Sequence, residues 1–265
     1  MSDTFNSFGT FYSLNKNSKK NSIVFVHGVG LTHEMWKPQI DFFSDYTTLT
    51  YDLLGHGKTP LNKSKITFKH FADQLLNLIN ELKLNKIHLV GFSLGALIAR
   101  EFASKYSDKL HSLILLGSIY KRSEEQKKVV INRFNLAKTN RSIAKKSALQ
   151  RWLTDDFISK NPKTLKKLFS TLENNNYENF FKCYELFAHY EDDDNIIRKI
   201  NVKTLVSTGE NDIGSTTEMS RNLSKLIRGS QFIEIKNGKH LCSTECANDV
   251  NMIFKQFIEK NNDRA

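Results

Sequence analysis

The stretch of sequence that decides the fold is Lys86-Ile87-His88-Leu89-Val90-Gly91-Phe92-Ser93-Leu94-Gly95-Ala96. Its apolar first half predicts a buried strand, and a helix-forming pattern begins directly after the second glycine. The Gly-x-Ser-x-Gly turn between them forces Ser93 into a strained backbone conformation. Glycine is needed at positions 91 and 95, since a Cβ atom at either place would clash. The stretch therefore predicts a serine hydroxyl held above the edge of a sheet, beside a helix N-terminus.

A serine hydroxyl is a poor nucleophile at neutral pH, and it needs a histidine base that a carboxylate orients. Asp212 follows the strand predicted at 202–209. His240 follows the strand predicted at 230–235. Functional side chains of parallel sheets lie just past the carboxyl ends of strands, where Ser93 is also placed. We predict that Ser93, His240 and Asp212 act as nucleophile, base and orienting acid.

Both downstream assignments have rivals. Glu210 lies two residues before Asp212, and the run Asp192-Asp193-Asp194 is a further acidic candidate, which we interpret as a solvated hinge. Seven other histidines compete with His240, but none of them lies in a suitable late loop. Of these seven, only His189 is placed where it could contact a substrate. The others are His27, His33, His56, His70, His88 and His111.

An acyl-transfer intermediate carries an oxyanion that needs backbone N–H donors fixed in advance. One donor is expected from Leu94, at the start of the helix after the turn, where the helix dipole also favours negative charge. The other is expected from the loop His27-Gly28-Val29-Gly30, which follows the strand predicted at 22–26. Within that loop we predict that Val29 supplies the N–H group.

Strand and helix patterns alternate over the chain except in one central segment. This alternation predicts a mainly parallel sheet with right-handed crossovers and helices on its faces. The 265 residues are enough for one α/β domain with a sizeable core. Besides the strands given above, strands are predicted at 8–14, 47–52 and 110–117, and helices at 33–43, 68–82 and 244–258.

The central segment, residues 120–198, has no strand pattern. Its apolar residues have amphipathic helical spacing, with breaks near Asn161-Pro162 and Asn174-Asn175-Asn176. We predict that it is a helical cap that covers the nucleophile. The core then comprises residues 1–119 and 199–265.

These motifs, in this order, resemble the α/β-hydrolase superfamily along almost the whole chain. The markers are the 27–30 loop, the turn Asp52-Leu53-Leu54-Gly55-His56-Gly57, the serine turn, the Asp212 loop and the late histidine. The resemblance implies an α/β-hydrolase fold, a mainly parallel central sheet flanked by helices with an inserted helical cap. It also implies a Ser-His-Asp triad that works through an acyl-enzyme. The chain departs from the family pattern at Leu94, where methionine is frequent, and at Ala96, where a second glycine is common.

Within the superfamily, the chain looks most like the 3-oxoadipate enol-lactonase group of carboxylic-ester and lactone hydrolases. The features behind this narrower resemblance are Met35-Trp36, Arg151-Trp152-Leu153-Thr154, Asn161-Pro162, Tyr177 with Cys183, and the segment 209–215. The resemblance implies a small ester or lactone substrate with a free carboxylate, which an arginine would bind better than a lysine. Arg133, Arg141 and Arg151 are the candidates, with Arg151 preferred because it adjoins Trp152. Each of the three is equally well explained as a solvated helix residue.

Composition limits the other classes of function. The net charge of +11 comes from lysines and arginines spread along the chain, with no nucleic-acid-binding motif among them. Three cysteines are too few for a disulfide framework, and no metal-ligand spacing accompanies them. No apolar run approaches the length of a membrane helix. We therefore expect a cytoplasmic enzyme without a metal, a cofactor, a nucleic-acid partner or a membrane anchor, and its oligomeric state stays open.

Other functions of the same fold remain open from the sequence. The triad could cleave a C–C bond or make peracids as cofactor-free haloperoxidases do. The pocket could also capture a small ligand as a binding module. A dehalogenase or epoxide hydrolase would carry aspartate in place of Ser93.

Overall fold

The computed structural model describes residues 2–17 and 20–262, in which eight strands form one sheet. The strands are β1 (Ser2–Phe5), β2 (Phe11–Asn15), β3 (Ser22–Val26), β4 (Thr47–Tyr51), β5 (Ile87–Phe92), β6 (Leu110–Leu116), β7 (Thr204–Gly209) and β8 (Gln231–Ile235). Their order is β1-β2-β4-β3-β5-β6-β7-β8. β2 is antiparallel to β1 and β4, and the strand pairs from β4 to β8 are parallel. The predicted α/β fold with a mainly parallel sheet is confirmed.

The helices that pack on the sheet or join its strands have the following bounds. They are α1 (Lys37–Phe42), α2 (Phe68–Glu81), α3 (Leu94–Lys105), α4 (Glu124–Thr139), α5 (Arg141–Trp152), α6 (Asp155–Lys160), α7 (Pro162–Glu173), α8 (Tyr177–Ala188), α9 (Asp194–Ile197), α10 (Thr217–Leu226), α11 (Cys242–Glu245) and α12 (Ala247–Lys260). Short 3₁₀ helices span His33–Trp36 and Ser107–Lys109.

The sheet is buried on both faces, as parallel sheets are when helices cover each side. All six residues of β5 are buried. Leu89 packs in one core with apolar residues of α2 and α3, and Val90 packs in the other with residues of α12. Burial on both faces explains why β5 is a continuous apolar run rather than an alternating one. It also places the end of β5, and so the serine turn, at the centre of the molecule.

Three predicted elements differ from the observed ones. The helix predicted at 33–43 is a 3₁₀ helix, His33–Trp36, followed by α1. The strand predicted at 8–14 is instead β2 of a hairpin whose first strand, β1, the sequence did not indicate. All four residues of β1 are exposed, so they carry no apolar alternation to detect. The single helix predicted at 244–258 is two helices, α11 and α12, separated at Cys246, whose backbone leaves the helical region.

The chain between β6 and β7 contains six helices, α4 to α9, and no strand. Its predicted breaks are present, since α7 begins at Pro162 and residues 174–176 separate α7 from α8. The interpretation of Asp192 as part of a solvated hinge is wrong. Its side chain is buried, and it forms an ion pair of 2.5 Å with the buried guanidinium of Arg100 on α3. The buried arginine needs a carboxylate partner, and Asp192 supplies it.

Candidate active site

Ser93 occupies the turn between β5 and α3, and its φ of 53° lies in a region that a residue with a side chain rarely adopts. The turn is tight enough to exclude side chains on both sides of it. A Cβ atom on Gly91 would lie 2.3 Å from the carbonyl oxygen of Gly95, and one on Gly95 would lie 2.3 Å from that of Val26. The Ser93 N–H donates to the carbonyl of Leu116 on β6, at 2.9 Å. Ser93 therefore has the predicted strained backbone conformation, and neither Gly91 nor Gly95 leaves room for a side chain.

The structure brings the three predicted side chains into contact. The Nε2 atom of His240 lies 3.1 Å from the Oγ atom of Ser93. The Nδ1 atom of the same ring lies 2.6 Å from the Oδ2 atom of Asp212. The imidazole also packs against the ring of Phe92, with 4.9 Å between the ring centroids. One histidine thus links the serine hydroxyl to a carboxylate, and its ring plane is held from the side.

Asp212 is buried and has several hydrogen-bond donors. Its Oδ1 atom accepts the N–H groups of Gly214 at 2.8 Å and Ser215 at 3.0 Å. Burial alone would raise the pKa of Asp212, but His240 and these N–H donors outweigh it, so the pKa lies below its usual value. Asp212 is therefore ionised at neutral pH and faces His240 with its second oxygen.

The rival acid, Glu210, points elsewhere. Its carboxylate accepts the Asn237 N–H at 3.0 Å and the Lys236 ammonium at 3.1 Å. The side chain is exposed, and these bonds hold the pKa of Glu210 below its usual value. Of the two acids in this loop, Asp212 contacts His240 and Glu210 stabilises the neighbouring loop.

The predicted oxyanion donors lie on two segments that meet at Ser93. Leu94 is the first residue of α3, so its N–H has no acceptor within the helix. Val29 lines the same pocket as Ser93. Gly28 allows the 27–30 loop to lie on the serine turn, since a Cβ atom there would be 3.2 Å from that of Ser93. The arrangement is compatible with two N–H donors beside Oγ.

Buried histidines fix the 27–30 loop. The Nε2 atom of His27 accepts the Leu53 N–H at 2.9 Å, so its Nδ1–H donates to the Gly28 carbonyl at 2.8 Å. Burial lowers the pKa of His27 to about 3 and that of His56, whose ring packs edge-on to it, to about 4. Both rings are therefore neutral at pH 7. These contacts give the two histidines a structural role.

Ser93, His240 and Asp212 open into a cavity of about 360 Å³ between the sheet and the helices of residues 120–198. Ser93 itself is only 5% exposed, so its hydroxyl is the floor of a pocket rather than an open surface group. Most of the lining is apolar. Residues 120–198 contribute Arg122, Val129, Arg133, Arg141, Lys145, Arg151, Trp152, Tyr177, Phe180, Tyr184 and Phe187.

The arginines of this pocket have no carboxylate partner. Among the described residues, no acidic side chain forms an ion pair with Arg122, Arg133 or Arg151. Arg151 donates to the Ser147 hydroxyl at 3.2 Å, and Arg122 donates to the backbone carbonyl of Phe187 at 3.1 Å. Burial lowers the pKa of Arg122 and Arg151 to about 10, which leaves both charged at neutral pH. The acidic side chains of the lining contact other groups, since Asp212 faces His240 and Glu125 accepts the Ser123 hydroxyl. The pocket wall therefore carries guanidinium groups that form no ion pair within the described part of the chain.

Of the predicted substrate contacts, Arg133, Arg141 and Arg151 line the pocket, and so does the neighbouring candidate Trp152. The structure does not bring His189 there. His189 follows the end of α8, is exposed, and lines a separate cavity beside α2 and α3. It falls on the opposite side of α8 from Phe187, which faces the pocket, because two residues along a helix turn the side chain by roughly 200°.

Sequence reasoning missed Arg122 and Tyr184. Tyr184 belongs to an aromatic face of α8, at the spacing i, i+3, i+7 and i+10 that places side chains on one side of a helix. The members of this face are Tyr177, Phe180, Tyr184 and Phe187, and all of them line the pocket. Their spacing was a detectable signal. Burial raises the pKa of Tyr184, so its hydroxyl is neutral and can donate a hydrogen bond.

Within residues 2–17 and 20–262, no group of three histidine, cysteine or acidic side chains is arranged to hold a metal ion. The three cysteines are free thiols. No helix in the described part of the chain is long and apolar enough to cross a membrane.

Comparison with known proteins identifies the family. The sequence model of the family described as alpha/beta hydrolase fold matches residues 21–244. The chain belongs to this family. One relative of this α/β hydrolase is the (E)-2-((N-methylformamido)methylene)succinate hydrolase of Acinetobacter baylyi, 29% identical over 242 residues, which are 89% of this chain and 90% of the relative. The 3-oxoadipate enol-lactonase 1 of the same organism is 25% identical over 95% of this chain and 94% of its own. The predicted superfamily is confirmed.

Solved structures of other α/β hydrolases share the fold. An enol-lactonase from Burkholderia xenovorans is similar with a TM-score of 0.86 and 24% identity, over 95% of this chain and 97% of that chain. A bromoperoxidase from Bacillus anthracis is similar with a TM-score of 0.88 and 19% identity, over 97% of this chain and all of that chain. At these identities the likeness concerns the fold alone.

The buried neutral histidines predict acid sensitivity of the fold. Below the usual pKa of about 6.5, the unfolded chain binds protons that native His27 and His56 do not, so stability falls as pH falls. Each histidine contributes a slope approaching about 1.4 kcal/mol per pH unit between pH 6 and its native pKa. We expect His56→Gln to remove the contribution of one histidine, about 1.4 kcal/mol per pH unit, from the pH dependence of the free energy of unfolding. Urea unfolding at several pH values measures this dependence. His189→Gln, at an exposed position, is the control and should keep the slope of the unmodified protein.

Proposed function

We propose that this protein is a serine hydrolase that cleaves a carboxylic ester or lactone through a Ser-His-Asp triad. The observation that carries the proposal is the continuous line of contacts from Ser93 through His240 to Asp212 at the floor of a pocket. A serine, a histidine and a carboxylate in this geometry are the groups that acyl transfer requires. The helical segment 120–198 acts in this proposal as the cap that covers the site.

The reaction begins when His240 Nε2 accepts the Ser93 proton while Oγ attacks the substrate carbonyl. Asp212, which accepts the Nδ1–H, keeps the ring in the required tautomer and stabilises the imidazolium that forms. The N–H groups of Leu94 and Val29 stabilise the oxyanion. The imidazolium then gives its proton to the leaving oxygen, and an acyl-enzyme remains. His240 Nε2 then takes a proton from water as the water oxygen attacks the acyl carbonyl, and the imidazolium gives that proton to Ser93 Oγ as the C–Oγ bond breaks and the acid is released.

The substrate in this proposal carries a carboxylate. The guanidinium groups of Arg122, Arg133 and Arg151 lie in an apolar pocket without acidic partners, and a buried charge without a counterion is unfavourable. An anionic ligand would supply the missing counterion. The names of both relatives contain a dicarboxylate, succinate in one and 3-oxoadipate in the other.

A second candidate uses the same triad on a bond other than an ester. The relative named (E)-2-((N-methylformamido)methylene)succinate hydrolase favours it, because that name describes neither an ester nor a lactone. In this alternative, the same oxyanion contacts would assist cleavage of a C–N or C–C bond. A panel of p-nitrophenyl esters, carboxylate-bearing lactones and enamides separates the two by relative kcat/KM.

Ser93→Ala is expected to abolish hydrolysis while the protein stays folded, because Ala is smaller and leaves the turn unchanged. The rate should fall by at least about 1000-fold, as when one member of a triad is removed. Hydrolysis of p-nitrophenyl esters and labelling by a fluorophosphonate probe measure the effect. A Ser93→Ala variant that kept a tenth of the rate would exclude Ser93 as the nucleophile. If the unmodified protein were folded but hydrolysed none of these esters, a binding module would be favoured instead.

Asp212→Asn is expected to lower kcat strongly, by up to about 10,000-fold, because the amide favours the wrong imidazole tautomer and removes the charge opposite the imidazolium. Glu210→Gln is the matched control in the same loop, and its kcat should stay within about twofold, the range of a surface change that removes no catalytic contact. If Glu210→Gln were the damaging substitution, the acid of the triad would be Glu210.

Arg151→Ala is expected to raise KM for a carboxylate-bearing lactone by about 10- to 100-fold, the loss of one charged hydrogen bond. KM for p-nitrophenyl acetate, which has no carboxylate, should change little. Lys146→Ala, on an exposed part of α5, is the control and should affect neither substrate. Equal loss on both substrates would mean that the variant disturbs the packing of α5 instead.

A further inference from the structure

Glu245, the last residue of α11, lies between the His240 loop and the helices of residues 120–198. Its Oε1 atom accepts the backbone N–H of Thr154 at 2.7 Å and also the Thr154 hydroxyl. Its Oε2 atom accepts the backbone N–H of Lys239 at 2.9 Å. One carboxylate therefore binds two segments that are far apart in sequence.

The first of these segments carries His240. Lys239 precedes the histidine, and its N–H is held by Glu245. Leu241 follows the histidine, and its N–H donates to the Trp152 carbonyl at 2.9 Å. The residues on both sides of His240 are thus fixed by hydrogen bonds that lead to residues 152–154.

The second segment carries pocket-lining side chains. Arg151 and Trp152 line the cavity, and Thr154 follows two residues later. The Thr154 hydroxyl caps α6 by accepting the Phe157 N–H at 3.3 Å. The Lys239 ammonium also donates to the carbonyl of Gln150, at 2.9 Å. The end of α5 is therefore tied to the His240 loop at several points, with Glu245 at the junction.

We propose that Glu245 is a positioning residue that couples the Arg151-Trp152 end of α5 to the imidazole of His240. Displacement of this end of α5 is transmitted through Thr154, Glu245 and Lys239 to the residue next to the base. The inference rests on the proposed function, because it takes His240 as the base. It adds a residue that touches neither the triad serine nor the substrate.

The chemistry of the junction requires a carboxylate. Each of its two oxygen atoms accepts an N–H group, and hydrogen bonds to a charged acceptor are stronger than neutral ones. Glutamine has one acceptor oxygen, and its NH₂ group would face the N–H of either Thr154 or Lys239. Glu245→Gln therefore keeps the size of the side chain and removes one of the two connections.

The test compares Glu245→Gln with Glu210→Gln. Both glutamates accept an N–H group of the loop 236–241, but the contacts of Glu210 stay within residues 210–237 and do not reach residues 120–198. We expect Glu245→Gln to lower kcat for p-nitrophenyl acetate by about 10- to 100-fold, with KM within a factor of about three, because a small misplacement of a catalytic group has effects of this size. The rate of fluorophosphonate labelling should fall in parallel. Glu210→Gln should change neither rate.

Thr154→Val tests the α5 side of the junction, since it removes the hydroxyl that donates to Glu245 and leaves the Lys239 contact in place. The same hydroxyl caps α6, so the melting temperature is measured beside kcat. We expect Thr154→Val to lower kcat by about three- to tenfold, and we expect the double variant to be no slower than Glu245→Gln alone, as for residues acting in one chain of contacts. If Glu245→Gln does not fold, the kcat of Thr154→Val decides the question.

Two results would overturn the inference. One is a folded Glu245→Gln variant with unchanged kcat and labelling rate. The other is a double variant of Glu245→Gln and Thr154→Val whose kcat falls by the product of the two single effects, with a melting temperature that falls as kcat falls. The proposed function fails separately, through an active Ser93→Ala variant. An inactive Ser93→Ala with a fully active Glu245→Gln would contradict the positioning role alone.

Discussion

Three segments of main chain approach one another at the serine turn with almost no space between them. The turn after β5 packs against the end of β3 through Gly95, and the 27–30 loop lies on Ser93 through Gly28. Because of this close approach, Ser93 stays at a backbone conformation that would be unfavourable in isolation. The 27–30 loop, the N-terminus of α3 and the His240 ring all lie against this turn. The position of the pocket floor is therefore set by main-chain packing at this turn and not by the side chains that line the pocket.

Charge is distributed unevenly across the pocket. Below His240, the buried carboxylate of Asp212 has N–H donors and the imidazole around it, which compensate for its loss of hydration. On the opposite side, Arg122 donates to the Phe187 carbonyl and Arg151 to the Ser147 hydroxyl, both neutral oxygens. The negative group is thus compensated within the protein, whereas these guanidinium groups form no ion pair with any residue that the structure describes, which supports the proposed anionic substrate.

The sequence predicted those parts of the molecule whose signal is local. The apolar run of β5, the two glycines around Ser93 and the loops after β7 and β8 each combine a strand end with one chemical group, and the structure brings these groups together. Features that depend on packing between distant segments were missed or misread. Asp192 was predicted to be solvated because its partner, Arg100, is 92 residues away in the sequence. Glu245 was not identified because its contacts are with residues of other segments. Tyr184 reaches the pocket and His189 does not because one face of α8 packs towards it. The spacing of residues defines the faces of a helix but not which face is turned towards a pocket.

The ion pair between Arg100 and Asp192 has a consequence for how a ligand reaches the serine. Separating two buried charges costs several kcal/mol, so the chain near α9 stays attached to α3 while ligands exchange. Glu245 attaches the same helical segment at Thr154. Val129 and Ile213 line the pocket and yet are 44% and 64% exposed, which places its mouth between α4 and the loop after Asp212. With both attachments in place, a molecule that reaches Ser93 passes between α4 and this loop, where the exposed side chain of Glu125 also lines the pocket.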